Sequence, residues 1–219
     1  MPVPPGVVRL CPRLTGVISV PTLILASASP ARRNLLAAAG IAAEVMLSGV
    51  DESTVDAATP ELLCLTLARL KAEAVAARLA DRVEAVVVGC DSVLAIDGQS
   101  LGKPADAAEA RQRWQAMRGR SGVLHTGHCL VHVADGKRAD GVASTTVRFA
   151  EVSDEEIDAY VSTGEPLHVA GAFTLDGRSG PFIESIEGDH GNVIGLSLPL
   201  LRRLLGELGI RLIDLWDTR

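Results

Sequence analysis

Aromatic residues are scarce: two Trp, one Tyr and three Phe among 219 residues. With so few rings, the core has to be built from Ala, Val, Leu and Ile. Paired cysteines are missing as well. Cys11, Cys64, Cys90 and Cys129 are scattered and form no C-x-x-C pair. Neither a zinc site nor a disulfide framework is indicated, and a reduced cytoplasm fits best. No apolar run reaches the roughly 20 residues that span a bilayer. The first twenty residues carry Arg9 and Arg13 but no continuous hydrophobic stretch, unlike a signal peptide. Excess positive charge is absent too. A formal net charge of −6 argues against a nucleic-acid partner, so any basic residues that matter should be few and clustered. There are no internal repeats and no low-complexity tract. No G-x-S-x-G elbow, Walker A loop or G-x-G-x-x-G fingerprint occurs, and the five histidines show no metal-ligand spacing.

What is present suits one sizeable domain: 47 % of the residues are apolar, a globular value. Residues 1–20 hold Pro2, Pro4, Pro5 and Pro12 and are expected to be a disordered extension, leaving 21–219 as a single domain. Val20–Leu25 reads as a buried strand. Ser29, Pro30 and Gly40 mark the cap, first position and exit of a helix. Val45–Val50 reads as a second strand. Thr59-Pro60 opens a long helix, and Ala85–Gly89 is a buried strand that continues extended over Val93–Ile96 to an Asp97-Gly98 turn. Asp106–Met117 is a helix. Val123–Val133 and Gly141–Phe149 read as paired strands joined by Asp135-Gly136. Ser153 to Glu156 is a capping box for a helix reaching Val161. A final helix is predicted over Ile194–Leu208. Strands alternating with helices predict an α/β layered fold.

Three groups of residues suggest chemistry. The stretch Ser27-Ala28-Ser29-Pro30-Ala31-Arg32-Arg33 places two hydroxyls and two guanidinium groups where a strand feeds a capped helix. Helix N-termini attract anions, and cations there are unfavourable unless an anion relieves them. Alone, the stretch reads first as a capped helix with solvated arginines, and the anion site is the second reading. Asp51-Glu52 and Asp91 each follow a predicted strand, where sites gather in α/β sheets. Carboxylates near phosphate suggest Mg²⁺ or Mn²⁺, against the plainer reading of turn aspartates. Lys103, in Leu101-Gly102-Lys103-Pro104, sits on a rigid turn, whereas Lys71 lies in a helix where a solvated face is the default.

The order of these segments is more informative than any one of them. Ser27…Arg32-Arg33, Asp51-Glu52, Lys71, Gly89-Cys90-Asp91-Ser92, Gly102-Lys103-Pro104, Thr126-Gly127, Gly164-Glu165-Pro166, Ala170–Phe173 and Ile186–Asp189 with Asn192–Leu196 together resemble the Maf family of nucleoside triphosphate pyrophosphatases, over about Leu23 to Leu208. The resemblance implies a three-layer α/β fold, a mixed sheet flanked by helices, with two lobes around a deep cleft, as in inosine-triphosphatase-like proteins. It implies cleavage of the α–β phosphate bond of a nucleoside triphosphate, with a divalent cation, by a cytoplasmic homodimer that needs no nucleic acid or membrane. Matched by position, the phosphate-binding residues fall on Ser27, Arg32 and Arg33, with Ser29 beside them. The metal-side carboxylate falls on Glu52, the proton acceptor and second metal ligand on Asp91, and the lysines on Lys71 and Lys103.

Two departures concern the base. The pyrimidine-nucleotide subgroup has Lys where this chain has Val169, and Gln where it has Asp176. A milder change gives Asp91-Ser92 in place of Asp-Thr. Gln both donates and accepts, whereas an ionised Asp only accepts. Asp176 therefore implies a substrate profile broader than dTTP and UTP, or shifted from them, with pyrimidine triphosphates still the single best expectation. The alternative reading is a nucleotide-binding regulator that arrests septum formation without turnover. A phosphatase acting on terminal phosphates is disfavoured by the lack of an Asp-x-Asp motif.

Overall fold

The computed structural model describes residues 21–217; the expectation for 1–20 lies outside the described residues. Its frame is a seven-stranded sheet in the order β2-β1-β3-β5-β6-β7, with β4 on the free part of β3. Strand β1 (Thr22–Leu25) lies between β2 (Ala43–Val45) and β3 (Ala85–Ile96), parallel to both. From β3 outward the ladder is antiparallel through β5 (Ser121–His132), β6 (Arg138–Phe149) and β7 (Ile183–Glu187). The Asp97-Gly98 turn returns the chain into β4 (Gln99–Leu101).

Helix α1 (Pro30–Ala38) and helix α6 (Leu198–Glu207) cover one face of the sheet, where Leu36, Leu201 and Leu205 meet Leu25, Val86 and Val88. Helix α2 (Pro60–Ala76) covers the other, packing Ala68, Ala72 and Val75 on Ile24, Val87 and Cys129. Alternate residues of β1 and β3 thus feed opposite layers, as a two-residue side-chain period requires. This is the expected three-layer mixed α/β architecture. A second core forms beyond the ends of β1 and β2. There α3 (Ala107–Met117) and α4 (Asp154–Ser162) pack against Leu94, Leu124, Val147 and Phe149.

Scarce aromatics do not mean an aliphatic core throughout. Five of the six rings collect in this second core: Trp114 meets Phe149, Tyr160 and Phe182 edge-on at centroid distances of 5.6–5.8 Å, and Phe173 meets Phe149 at 5.2 Å. Edge-to-face contacts of this kind add to the burial of the rings themselves.

Two expected elements come out differently. The strand predicted over Val45–Val50 ends at Val45, because β1 is only four residues long and the Met46 amide takes the last bond, to the Leu25 carbonyl at 3.1 Å. Residues 47–50 run along the cleft instead. The helix predicted over Ile194–Leu208 is two helices: α5 (His190–Ile194) stops at Gly195, whose φ is +127°, and α6 starts afresh under a Ser197 cap. Pro199 lies in the first turn of α6 and marks its start. Strand β7 was not anticipated.

Candidate active site

The two lobes leave a cleft of about 950 Å³ between them. Ser27, Ser29, Arg32, Glu52, Lys71, Asp91, Lys103 and Asp176 all line it. Arg33 does not; it is exposed on α1 without an ion pair among the described residues.

Its floor is set by a close approach of backbones. A Cβ on Gly89 would stand 2.7 Å from the Ala72 nitrogen, and one on Gly127 would stand 2.6 Å from the Leu65 nitrogen. Both glycines lie in the sheet beneath α2, so the helix settles directly onto β3 and β5. That brings Lys71, 7 % exposed, down to Asp91, 9 % exposed. Lys71 Nζ lies 2.6 Å from Asp91 Oδ1 and 2.6 Å from Glu52 Oε1. One buried ammonium therefore bridges two carboxylates, and Lys71 is not on a solvated helix face. Burial pushes the Asp91 carboxyl above its ordinary value, against the pull of Lys71 and Arg32.

Arg32 is equally committed. Its Nε donates to the Gly195 carbonyl at 2.7 Å, one terminal nitrogen donates to Ser27 Oγ and the Cys90 carbonyl at 2.9 Å each, and the other donates to Ser92 Oγ at 3.0 Å. The guanidinium fork thus ties the β1–α1 loop, the middle of β3 and the α5–α6 turn into one unit. Gly195 lies so close to Arg32 that a Cβ would meet Nε at 3.2 Å. Ser27 Oγ accepts from Arg32 and, at 3.2 Å, from the Ser29 amide, which leaves its own proton free to donate. Ser29 Oγ caps α1 by accepting from the Arg32 amide at 3.4 Å.

The bond directions continue from Arg32. Ser92 Oγ is 2.9 Å from Thr126 Oγ1, and Thr126 donates to the Asn192 carbonyl at 3.0 Å, so Ser92 donates to Thr126. Asn192, fully buried, donates through Nδ2 to the Leu124 carbonyl at 3.1 Å and to Thr145 Oγ1 at 3.0 Å. This chain of donors links the two lobes, and sequence inspection did not find it. The hydroxyl that closes it, Thr126, stands in β5 within the Thr126-Gly127 segment of the resemblance, which assigns it no partner. His128, two residues on, is buried and structural: its Nε2 accepts the Ser197 amide at 2.9 Å, and burial lowers its pKa to about 4.

The rim on the second lobe is held by backbone. Gly171 N donates to the Gly102 carbonyl at 3.0 Å, joining the Ala170–Phe173 segment to the turn that carries Lys103. Ala172, at φ +59°, is held by Trp114 Nε1 donating to its carbonyl at 2.7 Å. Among the described residues no cluster of three or more His, Cys, Asp and Glu side chains could hold a metal. Glu52 and Asp91 are the carboxylate pair that converges on one cationic position, and substrate oxygens have to complete any metal's shell there. The three described cysteines, Cys64, Cys90 and Cys129, are buried free thiols pushed up to about 12, 11 and 12 by burial.

A family model described as Maf-like protein matches residues 22–208. The chain belongs to that family. A Salinispora tropica protein named nucleoside triphosphate pyrophosphatase is 65 % identical over 197 residues, covering 89 % of this chain and 87 % of its own. Proteins of the same name are similar in Streptomyces coelicolor, at 63 % identity over 89 % of this chain and 94 % of theirs, and in Synechococcus elongatus, at 55 % over 92 % and 100 %. Among solved structures, the Staphylococcus aureus Ham1 protein aligns at a TM-score of 0.48 and 15 % identity, over 85 % of this chain and 99 % of that one. No helix among the described residues is long and apolar enough to cross a membrane.

Proposed function

We propose that the protein is a nucleoside triphosphate pyrophosphatase, the name its relatives carry, and that it releases nucleoside monophosphate and diphosphate. The observation that carries the reading is the Glu52–Lys71–Asp91 cluster at the floor of a cleft whose wall is the Ser-capped start of α1. The triphosphate lies along that wall. Ser27 donates its free hydroxyl proton to a phosphate oxygen, and the α1 amides add their partial positive charge. Lys103 approaches from the rim, Arg33 adds positive charge on α1 just outside the cleft, and Arg32 contributes fixed charge and holds Ser27 in place. Asp91 takes the proton from a water attacking the α-phosphorus in line. Its raised pKa suits that role, and Lys71 keeps it ionised.

Glu52 and Asp91 are the residues that would hold Mg²⁺ or Mn²⁺. When bound, the cation supplies charge neutralisation for the phosphate chain. Asp176, on the rim, faces the base. The cytoplasmic location, the homodimer and the link to septum formation rest on the resemblance and belong to the proposal, with the nucleotide-binding regulator as the alternative.

Product analysis tests the reading. Purified protein with Mg²⁺ or Mn²⁺ is expected to convert a nucleoside triphosphate to monophosphate and diphosphate, and to stop on addition of EDTA. Asp91→Asn, which keeps the volume, is expected to lower the rate roughly 10²–10⁴-fold. Orthophosphate with nucleoside diphosphate as first products would refute the reaction. Tight nucleotide binding without turnover would favour the regulator.

A further inference from the structure

Beyond the cleft wall, the segment that carries Asp176 is wound around a single carboxylate. Glu165 Oε1 accepts from Thr174 Oγ1 at 2.6 Å, from the Arg178 amide at 2.9 Å and from the Tyr160 hydroxyl at 3.3 Å. The loop ends are closed by Ser179, which is fully buried. Its Oγ accepts the Thr174 amide at 2.8 Å and lies 2.9 Å from the Thr174 carbonyl and 3.2 Å from the Tyr160 hydroxyl. Gly177 leaves the room this needs: a Cβ there would lie 2.5 Å from Glu165 Oε1. Thr174, Leu175 and Asp176 line the cleft, and Glu165 does not.

We propose that Glu165 is a positioning residue for base selection, fixing the Thr174–Ser179 loop so that Leu175 and Asp176 present one constant surface to the base. The inference rests on the nucleotide-cleft reading above and extends it to a residue that never meets the ligand. Three donors converge on one carboxylate oxygen, and bonds to a carboxylate are about twice as strong as those between neutral groups. The same loop without that acceptor has three donors to satisfy with water and a choice of conformations in which to do so. Ser27, Lys71 and Asp91 belong to the other lobe and to the start of α1, and Lys103 is tied in through Gly102 and Gly171 rather than through this loop, so loosening the loop should alter which base is preferred and leave the chemical step in place.

The experiment measures wild type, Glu165→Gln, Glu165→Leu and Thr174→Val against a panel of purine and pyrimidine triphosphates. One arm measures hydrolysis and the other measures equilibrium binding of the α,β-methylene analogues, which cannot turn over at that bond. In Glu165→Leu the ratio of best to worst base is expected to shrink about tenfold, through KM and affinity, with kcat on the best substrate held within about threefold. Glu165→Gln keeps an acceptor oxygen and is expected to restore most of the ratio. Thr174→Val removes one donor with little change of volume and shifts the ratio the same way by a smaller factor, which covers the case of a Glu165→Leu chain that fails to fold. Unchanged ratios in Thr174→Val and in any folded Glu165→Leu protein overturn the proposal, as does a uniform fall of kcat across all bases. Wild type that discriminates among the analogues but hydrolyses no triphosphate defeats the pyrophosphatase reading while the binding arm still decides the role of Glu165. Wild type that binds every base alike defeats the role of Glu165.

Discussion

A side chain on Gly89 would stand 2.7 Å from the amide nitrogen of Ala72, so α2 lies on the sheet only because that position is bare. Ala72 follows Lys71 on the helix, and the approach therefore determines how far the Lys71 ammonium reaches toward Asp91. Gly89→Ala meets backbone rather than a flexible side chain, so the helix itself has to shift. Overpacking of this kind costs about 1–3 kcal/mol. The expected outcome is a lower melting temperature together with a fall of roughly tenfold or more in kcat/KM, from the near-attack geometry lost at the cluster. Thermal melts and diphosphate release on the same preparation check both.

The two arginines of the opening motif should separate cleanly. Arg32→Lys retains the charge but cannot reach Gly195, Ser27, Cys90 and Ser92 at once. A loss of about 2–4 kcal/mol in stability is expected, with activity falling alongside. Arg33→Ala, at an exposed position, should leave stability within about 0.5 kcal/mol and weaken triphosphate use. Denaturant titration paired with kcat/KM distinguishes the roles. Equal effects on stability at both positions would contradict them.

Stability should depend on pH through His128. Its pKa is about 4 in the folded chain against an ordinary 6.5, because burial disfavours the imidazolium. Between those values the unfolded chain binds a proton that the native state refuses, so the stabilisation is fully present above about 6.5 and is lost as pH falls toward 4. Linkage sets the full loss at about 3 kcal/mol. His128→Gln keeps an acceptor for the Ser197 amide and does not titrate. Urea midpoints measured from pH 7 to pH 4.5 should fall more steeply in wild type than in the variant.

Asp176 is expected to shift selectivity rather than rate. Asp176→Gln restores a donor at the rim, and the substrate panel should move toward dTTP and UTP by about 1–2 kcal/mol in relative kcat/KM. A panel unchanged by the substitution would show that Asp176 does not read the base.

Much of this arrangement was legible in the residues because it is local. Ser29-Pro30 starts α1, Thr59-Pro60 starts α2, Asp97-Gly98 turns β3 into β4, and Ser153 and Glu156 form the capping box of α4, each as read. The cleft gathers most of the residues singled out, but not all for the expected reason. Ser27 and Ser29 do lie where β1 feeds α1, whereas Asp91 sits in the middle of the unbroken β3 and Lys71 within α2, brought together by the packing of that helix on the sheet. What was not legible depends on partners distant along the chain. The acceptors of Arg32 arrive from up to 163 residues away, so nothing in the local sequence separated it from Arg33, and the resemblance implied phosphate binding for both. Glu165 stood in a recognisable Gly-Glu-Pro run, but its role depends on a loop that folds back over it. The α5–α6 break rested on one glycine inside an otherwise helical apolar pattern. β7 has little apolar signal of its own: Glu184, Ser185 and Glu187 are exposed at the edge of the sheet.

Strands β3 and β5 run for 12 residues each without interruption, and both lobes are assembled on them. Two bodies that share their ribs are joined by continuous sheet rather than by a linker. The width of the slot is therefore set by the same strands that build both cores. A site whose walls are ordered before anything enters leaves the ordering cost to the ligand and to a few rim side chains, so more of the contact energy is kept as affinity.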